Sequence, residues 1–178
     1  VFAIAGDHLQ RIYDFGPNKF TLIPHGVDYV QEIARQLKME MPPTTLTKNH
    51  RSDPGIVNLV NGFLQRTIDP RLTAGYCYFS PDRAGVKPEI SIFQNQQSEL
   101  KYIEELYSKS EIDVLVLARS RRTLRRLPDH ITNRSTIAAY KGREAKHIIL
   151  MGFALESTES LSEVQNYLVG LSRATERL

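Results

Sequence analysis

The sequence predicts an α/β domain with a mainly parallel sheet flanked by helices. Short apolar runs of strand length (VFAIA at 1–5, DVLVLA at 113–118, HIILMGF at 147–153) stop at glycine or polar turns. Between such runs lie segments with apolar residues three and four positions apart, and strands alternating with helices favour a parallel sheet. The size agrees: 178 residues, 41% of them hydrophobic, suit one domain, or one domain with a fragment of a neighbour.

Taken in order, Val1–Ala5 reads as a buried strand ending at Gly6-Asp7. A chain opening in mid-strand is expected to be a piece of something longer. Val27, Val30, Ile33, Ala34 and Leu37 predict a helix over 27–39, stopped by Pro42-Pro43. Thr44–Leu46 is a short strand. Ser52-Asp53-Pro54 supplies cap candidates and a first-turn proline, so a helix should run from there to about Gln65. Residues 71–87 are turn-rich and aromatic, and read as a loop. Glu89–Phe93 is strand-like, Gln97–Tyr107 helical, and Asp113–Ala118 a strand. Leu124 closes a short basic helix. Strands at Ser135–Ala139 and His147–Phe153 precede a final helix over Glu163–Leu178.

Composition removes several classes. The 23 Lys and Arg exceed the 20 Asp and Glu by three, a surplus that permits nucleic-acid contact without requiring it. No apolar run approaches the roughly 20 residues that span a bilayer, and no charged-then-apolar leader opens the chain. Cys77 is the single cysteine, which excludes an internal disulfide framework and a multi-thiolate zinc site. No metal site is expected in the chain, and a reducing, cytoplasmic setting fits.

In open α/β sheets, ligands bind beyond the carboxyl ends of strands. Four polar segments stand at such ends or at helix starts: 6–15, 49–52, 136–144 and 166–174. GDHLQRIYDF (6–15) resembles motif III of the UvrD/Rep-type superfamily 1 DNA helicases, GDxxQSIYxF. LTKNHRSDPGIVNLVNGFL (46–64) is similar to their motif IV, LxxNYRSxxxIVxxAN. TIAAYKGREAKHIILMGF (136–153) resembles motif V, and VQNYLVGLSRATERL (164–178) resembles motif VI. The four occur in the family's order across nearly the whole chain. Two absences complete the pattern. The dipeptide Gly-Lys is nowhere, so there is no phosphate-cradling P-loop, and no apolar strand ends in Asp-Glu.

The resemblance implies a RecA-like second motor domain without the P-loop. Residues 1–25 would end the first motor domain, and 26–178 would form a 2A-type domain lacking a large 2B insertion. The intact protein would be an ATP-dependent DNA helicase, using ATP and Mg2+ and translocating on single-stranded DNA, with roles in DNA repair. This chain alone would hydrolyse no ATP, because the P-loop and the Asp-Glu strand are absent from it and would lie in its partner, the N-terminal motor domain of the same protein. By the same resemblance, Arg51 and Arg173 are arginine fingers, since phosphoryl transfer needs fixed positive charge at the γ-phosphate. Gln10 would sense that phosphate. His50, standing where relatives carry an adenine-stacking tyrosine, would bind ATP with Gly142 and Glu144. Tyr13 and Phe15 would stack on bases, and Thr136 and Lys141 would hold the DNA backbone. Ala138 replaces the usual motif V histidine. An Arg173→Ala change is expected to abolish turnover with folding nearly intact. The dense basic run RSRRTLRR (119–126) reads first as a solvated face. Two other readings stay open: a non-catalytic RecA-like module binding nucleic acid or protein, and a helicase-like ATPase acting on RNA polymerase.

Overall fold

The computed structural model describes residues 35–38, 48–67, 85–110, 113–153 and 161–178. Within them four strands, β1 (Val114–Ala118), β2 (Arg134–Thr136), β3 (Ala145–Met151) and β4 (Ala174–Arg177), form one sheet. Its order is β2-β1-β3-β4, and every pairing is parallel. The helices are α1 (Pro54–Thr67), α2 (Gln96–Lys109), α3 (Arg121–Leu124) and α4 (Leu161–Leu171). This is the α/β architecture with a parallel sheet that the alternating pattern predicts.

The near-continuous apolar run VLVLA is what a central parallel strand needs, because helices cover both of its faces. Leu115, Leu117 and Ile148 pack with Ile56, Val60 and Leu64 of α1 and with Leu168 of α4. The alternate residues Val116, Ala118 and Met151 pack with Ile103 of α2 and with Leu124, Leu127 and Ile131 on the opposite face. Leu117 is 0% exposed at the centre of the first layer. Replacing it with alanine should cost about 2–5 kcal/mol, read as a lower urea midpoint at unchanged slope.

Helix α1 begins where its sequence signal places it. The Asp53 side chain accepts the N–H of Gly55 at 2.8 Å, capping the helix ahead of Pro54. The preceding turn is held by Asn49, whose side-chain oxygen accepts the N–H groups of Arg51 (2.9 Å) and Ser52 (3.0 Å). That turn is stitched to β4: Ser52 Oγ donates to the Ala174 carbonyl at 3.0 Å, and the Asp53 N–H to the Thr175 carbonyl at 2.8 Å. On α4, Gly170 allows close approach to the sheet. A Cβ there would lie 3.0 Å from Leu150 Cδ1 and 3.1 Å from Ile137 Cδ1.

Some expectations are corrected. The final helix stops at Leu171, and Ala174–Arg177 is strand β4, paired with β3 through Ala145. The helical spacing runs on past Leu171 in the sequence, but a free sheet edge offers these backbone groups a ladder. Glu89–Phe93 is extended without being a strand. It meets the sheet through one bond, Glu89 N–H to the Leu178 carbonyl at 3.1 Å, and leaves Ile90 and Ile92 exposed. The strand expected at Ser135–Ala139 is confined to Arg134–Thr136, and residues 137–142 turn instead. The strand at 1–5, the strand at 44–46, Cys77 and most of the 27–39 helix and the 71–87 loop lie outside the described residues. Among the described residues no helix is long and apolar enough to cross a membrane.

Candidate functional site

The two arginines of motifs IV and VI meet at one residue, Ser172. Helix α4 ends there: the Ser172 N–H donates to Leu168 (3.0 Å) and the Arg173 N–H to Gly170 (3.2 Å). Arg173 then folds its side chain back along the helix end. Its Nε donates to the Val169 carbonyl at 3.0 Å, Nη2 to Ser172 Oγ at 3.0 Å, and Nη1 to the Arg143 carbonyl at 3.3 Å. A guanidinium at this position satisfies helix-end carbonyls and opposes the negative end of the helix dipole. It also clamps α4 to the segment entering β3. Arg173 is only 3% exposed.

Arg51 approaches the same residue from the solvent side. Its Nη2 donates to the Ser172 carbonyl at 2.9 Å, and its Nε lies 3.7 Å from Glu144 Oε2. The Arg51 side chain is 35% exposed and that of Glu144 56%, so this ion pair is screened and stabilises by at most about 1 kcal/mol. Arg51 is therefore held lightly, whereas Arg173 is locked in place.

Beside Arg51 lies a pocket of about 250 Å³. Lys48, Asn49, His50, Arg51, Ser52 and Ser172 form its polar side, Ile56 and Leu168 part of its apolar side, and among the described residues no acidic side chain lines it. Cations around a partly apolar floor suit an anionic ligand with a flat apolar portion.

The remaining expected residues divide between two ends of the sheet. Glu144 immediately precedes β3, at the sheet's amino edge, with Arg51 and Arg173. Gly142 has φ of +84°, and a Cβ added there would meet no atom within 4 Å, so the backbone angle of the turn, not space, calls for glycine. The Tyr140 hydroxyl donates to the Glu144 carbonyl at 2.9 Å and fixes that turn. Thr136 is at the carboxyl end of β2, in register with Ala118, which pairs with Met151. Its hydroxyl oxygen accepts the Ala139 N–H at 3.2 Å. The length of β3 therefore separates Thr136 from Glu144 by about 20 Å along the strand direction. Lys141 is exposed in the intervening turn. The carboxyl-end rule thus describes Thr136 but not the arginine group, which gathers at the amino ends of β3 and β4. Gln10, Tyr13 and Phe15 lie outside the described residues.

Three contributors carry no role assigned from the sequence. Asn49 orders the turn that aims Arg51, and an asparagine four residues before the Asp53-Pro54 helix start was the available signal. Lys48 adds a cation to the pocket. Ser172 is the common anchor, and the carbonyls of Val169 and Arg143 carry no side-chain signature at all. No group of three His, Cys, Asp or Glu side chains gathers as a metal site among the described residues. Comparison of the chain with family models, curated proteins and solved structures finds no match.

Proposed function

We propose that the chain is the second, RecA-like lobe of an ATP-driven motor on single-stranded DNA, of the UvrD/Rep helicase kind. The observation that carries this reading is the meeting of Arg51 and Arg173 at Ser172, beside a cation-rimmed pocket. Two distant motifs that need to face one nucleotide are brought to one residue.

The donor set fits the triphosphate of ATP and does not fit magnesium, for which the described residues gather no acidic cluster. Lys48, His50 and Arg51 would hold phosphate or base, and bound ATP supplies the phosphoanhydride to be broken. Arg51 would turn from Glu144 toward the developing charge, where a fixed guanidinium stabilises the transition state without reorganising solvent. Arg173 would keep α4, the 143–144 segment and Ser172 in register, so that Arg51 starts from a defined place. Mg2+ ligands and the P-loop would come from a first lobe. A non-catalytic module is the second reading, favoured by one observation: the Arg173 guanidinium uses its donors inside the lobe.

Steady-state assays separate the two. The intact protein is expected to hydrolyse ATP faster when single-stranded DNA is added, and the purified 178-residue chain to show no turnover. An intact protein with no DNA-stimulated hydrolysis defeats the motor reading, as does turnover by this chain alone.

A further inference from the structure

The extended segment ahead of α2 takes no part in the pocket. Its Ile90 is 72% exposed and its Ile92 89%, the highest values for any large apolar side chain among the described residues. We propose that residues 89–93 are a self-association surface. A second copy of this chain would add its own 89–93 segment there as an antiparallel strand, about a two-fold axis at Ser91.

Side chains and backbone agree on which way the segment faces. Glu89, Ser91 and Phe93 are held on the α2 side. The Tyr102 hydroxyl donates to the Glu89 carboxylate, Ser91 Oγ donates to the same carboxylate at 3.3 Å, and the rings of Phe93 and Tyr102 lie 5.3 Å apart. Successive side chains of an extended chain point to opposite faces, so Ile90 and Ile92 share the outer one. The Glu89 N–H donates to the Leu178 carbonyl, just beyond β4. Backbone groups alternate between edges in the same way, which turns those of Ile90 and Ile92 toward the open edge. Among the described residues neither makes a backbone hydrogen bond, so the segment presents the unpaired groups of an edge strand.

The occupant follows from the register. Centred on Ser91, an antiparallel copy sets Ile90 opposite the partner's Ile92, and Ile92 opposite the partner's Ile90. Four isoleucines then meet on one face. The same two residues carry the outward backbone groups, so each facing pair exchanges two N–H···O bonds. No like charges come face to face, since Glu89 falls opposite the partner's Phe93 and Lys87 opposite the partner's Asn95. Moving the centre to Ile90 sets Ile92 against Pro88, which has no N–H to give, and moving it to Ile92 sets Ile90 against Gln94. A one-residue slip puts the isoleucines of the two copies on opposite faces. Pairing uses the open edge of both segments, so the assembly closes as a two-fold dimer and does not grow into a filament. One strand and two isoleucines a side fall short of the ~1,000 Å² of a lasting interface, so the dimer is weak, half-formed at about 100 μM. Neither ATP nor DNA takes part, which makes the outcome independent of the motor reading.

Sedimentation velocity of the 178-residue chain, from about 5 to about 500 μM, should show a monomer–dimer transition. Ile90→Lys/Ile92→Lys sets ammonium groups opposite one another on that face and should raise the dissociation constant about tenfold or more. Leu37→Lys, at an exposed apolar side chain elsewhere, should leave it as it was. The register is read by oxidation with copper phenanthroline in a Cys77→Ser background. In the dimer the two Cα atoms of residue 91 would lie about 4.5 Å apart, within disulfide reach. Ser91→Cys should therefore give a disulfide-linked dimer, and Lys87→Cys should not. A chain that stays monomeric to the top of the concentration range overturns the proposal and leaves the face to a strand of another protein. Association that passes beyond the dimer, or that Ile90→Lys/Ile92→Lys leaves unchanged, overturns it as well. So does cross-linking of Lys87→Cys in preference to Ser91→Cys.

Discussion

Arg51→Ala should lower ATP turnover by the intact protein about 1,000-fold or more, the range over which arginine fingers act. That loss corresponds to about 4 kcal/mol of transition-state stabilisation. It should appear in kcat, because Arg51 in the resting lobe is paired with Glu144 and the Ser172 carbonyl and would reach phosphate only as charge develops. Stability should fall less than on loss of Arg173: a screened ion pair and one part-buried hydrogen bond from a charged donor are at stake, and water replaces both in the variant. Arg51→Lys keeps the charge but loses the fork, so most of the rate should stay lost. Glu144→Gln relaxes the hold on Arg51 without removing it, and should cost far less than Arg51→Ala. Steady-state kinetics on the three variants, with urea midpoints alongside, make the comparison. Turnover within tenfold of normal in Arg51→Ala would remove this side chain from the chemistry.

Which parts of the molecule were legible in the sequence follows from what fixes each part. β1 was readable because burial on both faces leaves a continuous VLVLA run, and α1 because Asp53-Pro54 is a local start signal. Ala174–Arg177 was not, since nothing within four residues distinguishes a helix end from an edge strand. The ladder to Ala145, nearly 30 residues upstream, decides it. Ile90 and Ile92 misled in the other direction: their alternation is that of a half-buried strand, yet both side chains face solvent. The resemblance implies only that Arg51 and Arg173 face one nucleotide, and the residue that holds both carries no sequence signal. Ser172 joins them through its carbonyl and its hydroxyl, and a carbonyl is common to every residue. For the same reason nothing in the sequence marks the burial of Arg173 against the Val169 and Arg143 carbonyls.

Arg173→Ala should therefore destabilise the lobe, which revises the expectation that folding would survive the change nearly intact. The guanidinium gives hydrogen bonds to the Val169 carbonyl, the Ser172 hydroxyl and the Arg143 carbonyl while 3% exposed. Hydrogen bonds from a charged donor contribute about 1.5–3 kcal/mol, and two of the acceptors left behind, the Val169 carbonyl and the Ser172 hydroxyl, are buried. The favourable cation at the end of α4 goes with them. Relaxation and entering water return part of the loss, so a net cost of about 3 kcal/mol is expected. For a chain of this size that is a fall of about 6–12 °C in Tm. Arg173→Lys should fall between the two, because an ammonium keeps the charge yet cannot span three acceptors set around a planar fork. Thermal unfolding of the 178-residue chain reads this without any nucleotide, and turnover of the intact protein, measured well below the lowered Tm, reads the chemistry. A large fall in Tm with turnover reduced in proportion to the folded fraction makes Arg173 the bracket that positions Arg51. An unchanged Tm with turnover lost would mean that its bonds to Val169, Ser172 and Arg143 are not what holds the lobe, and that the side chain acts directly on the phosphate.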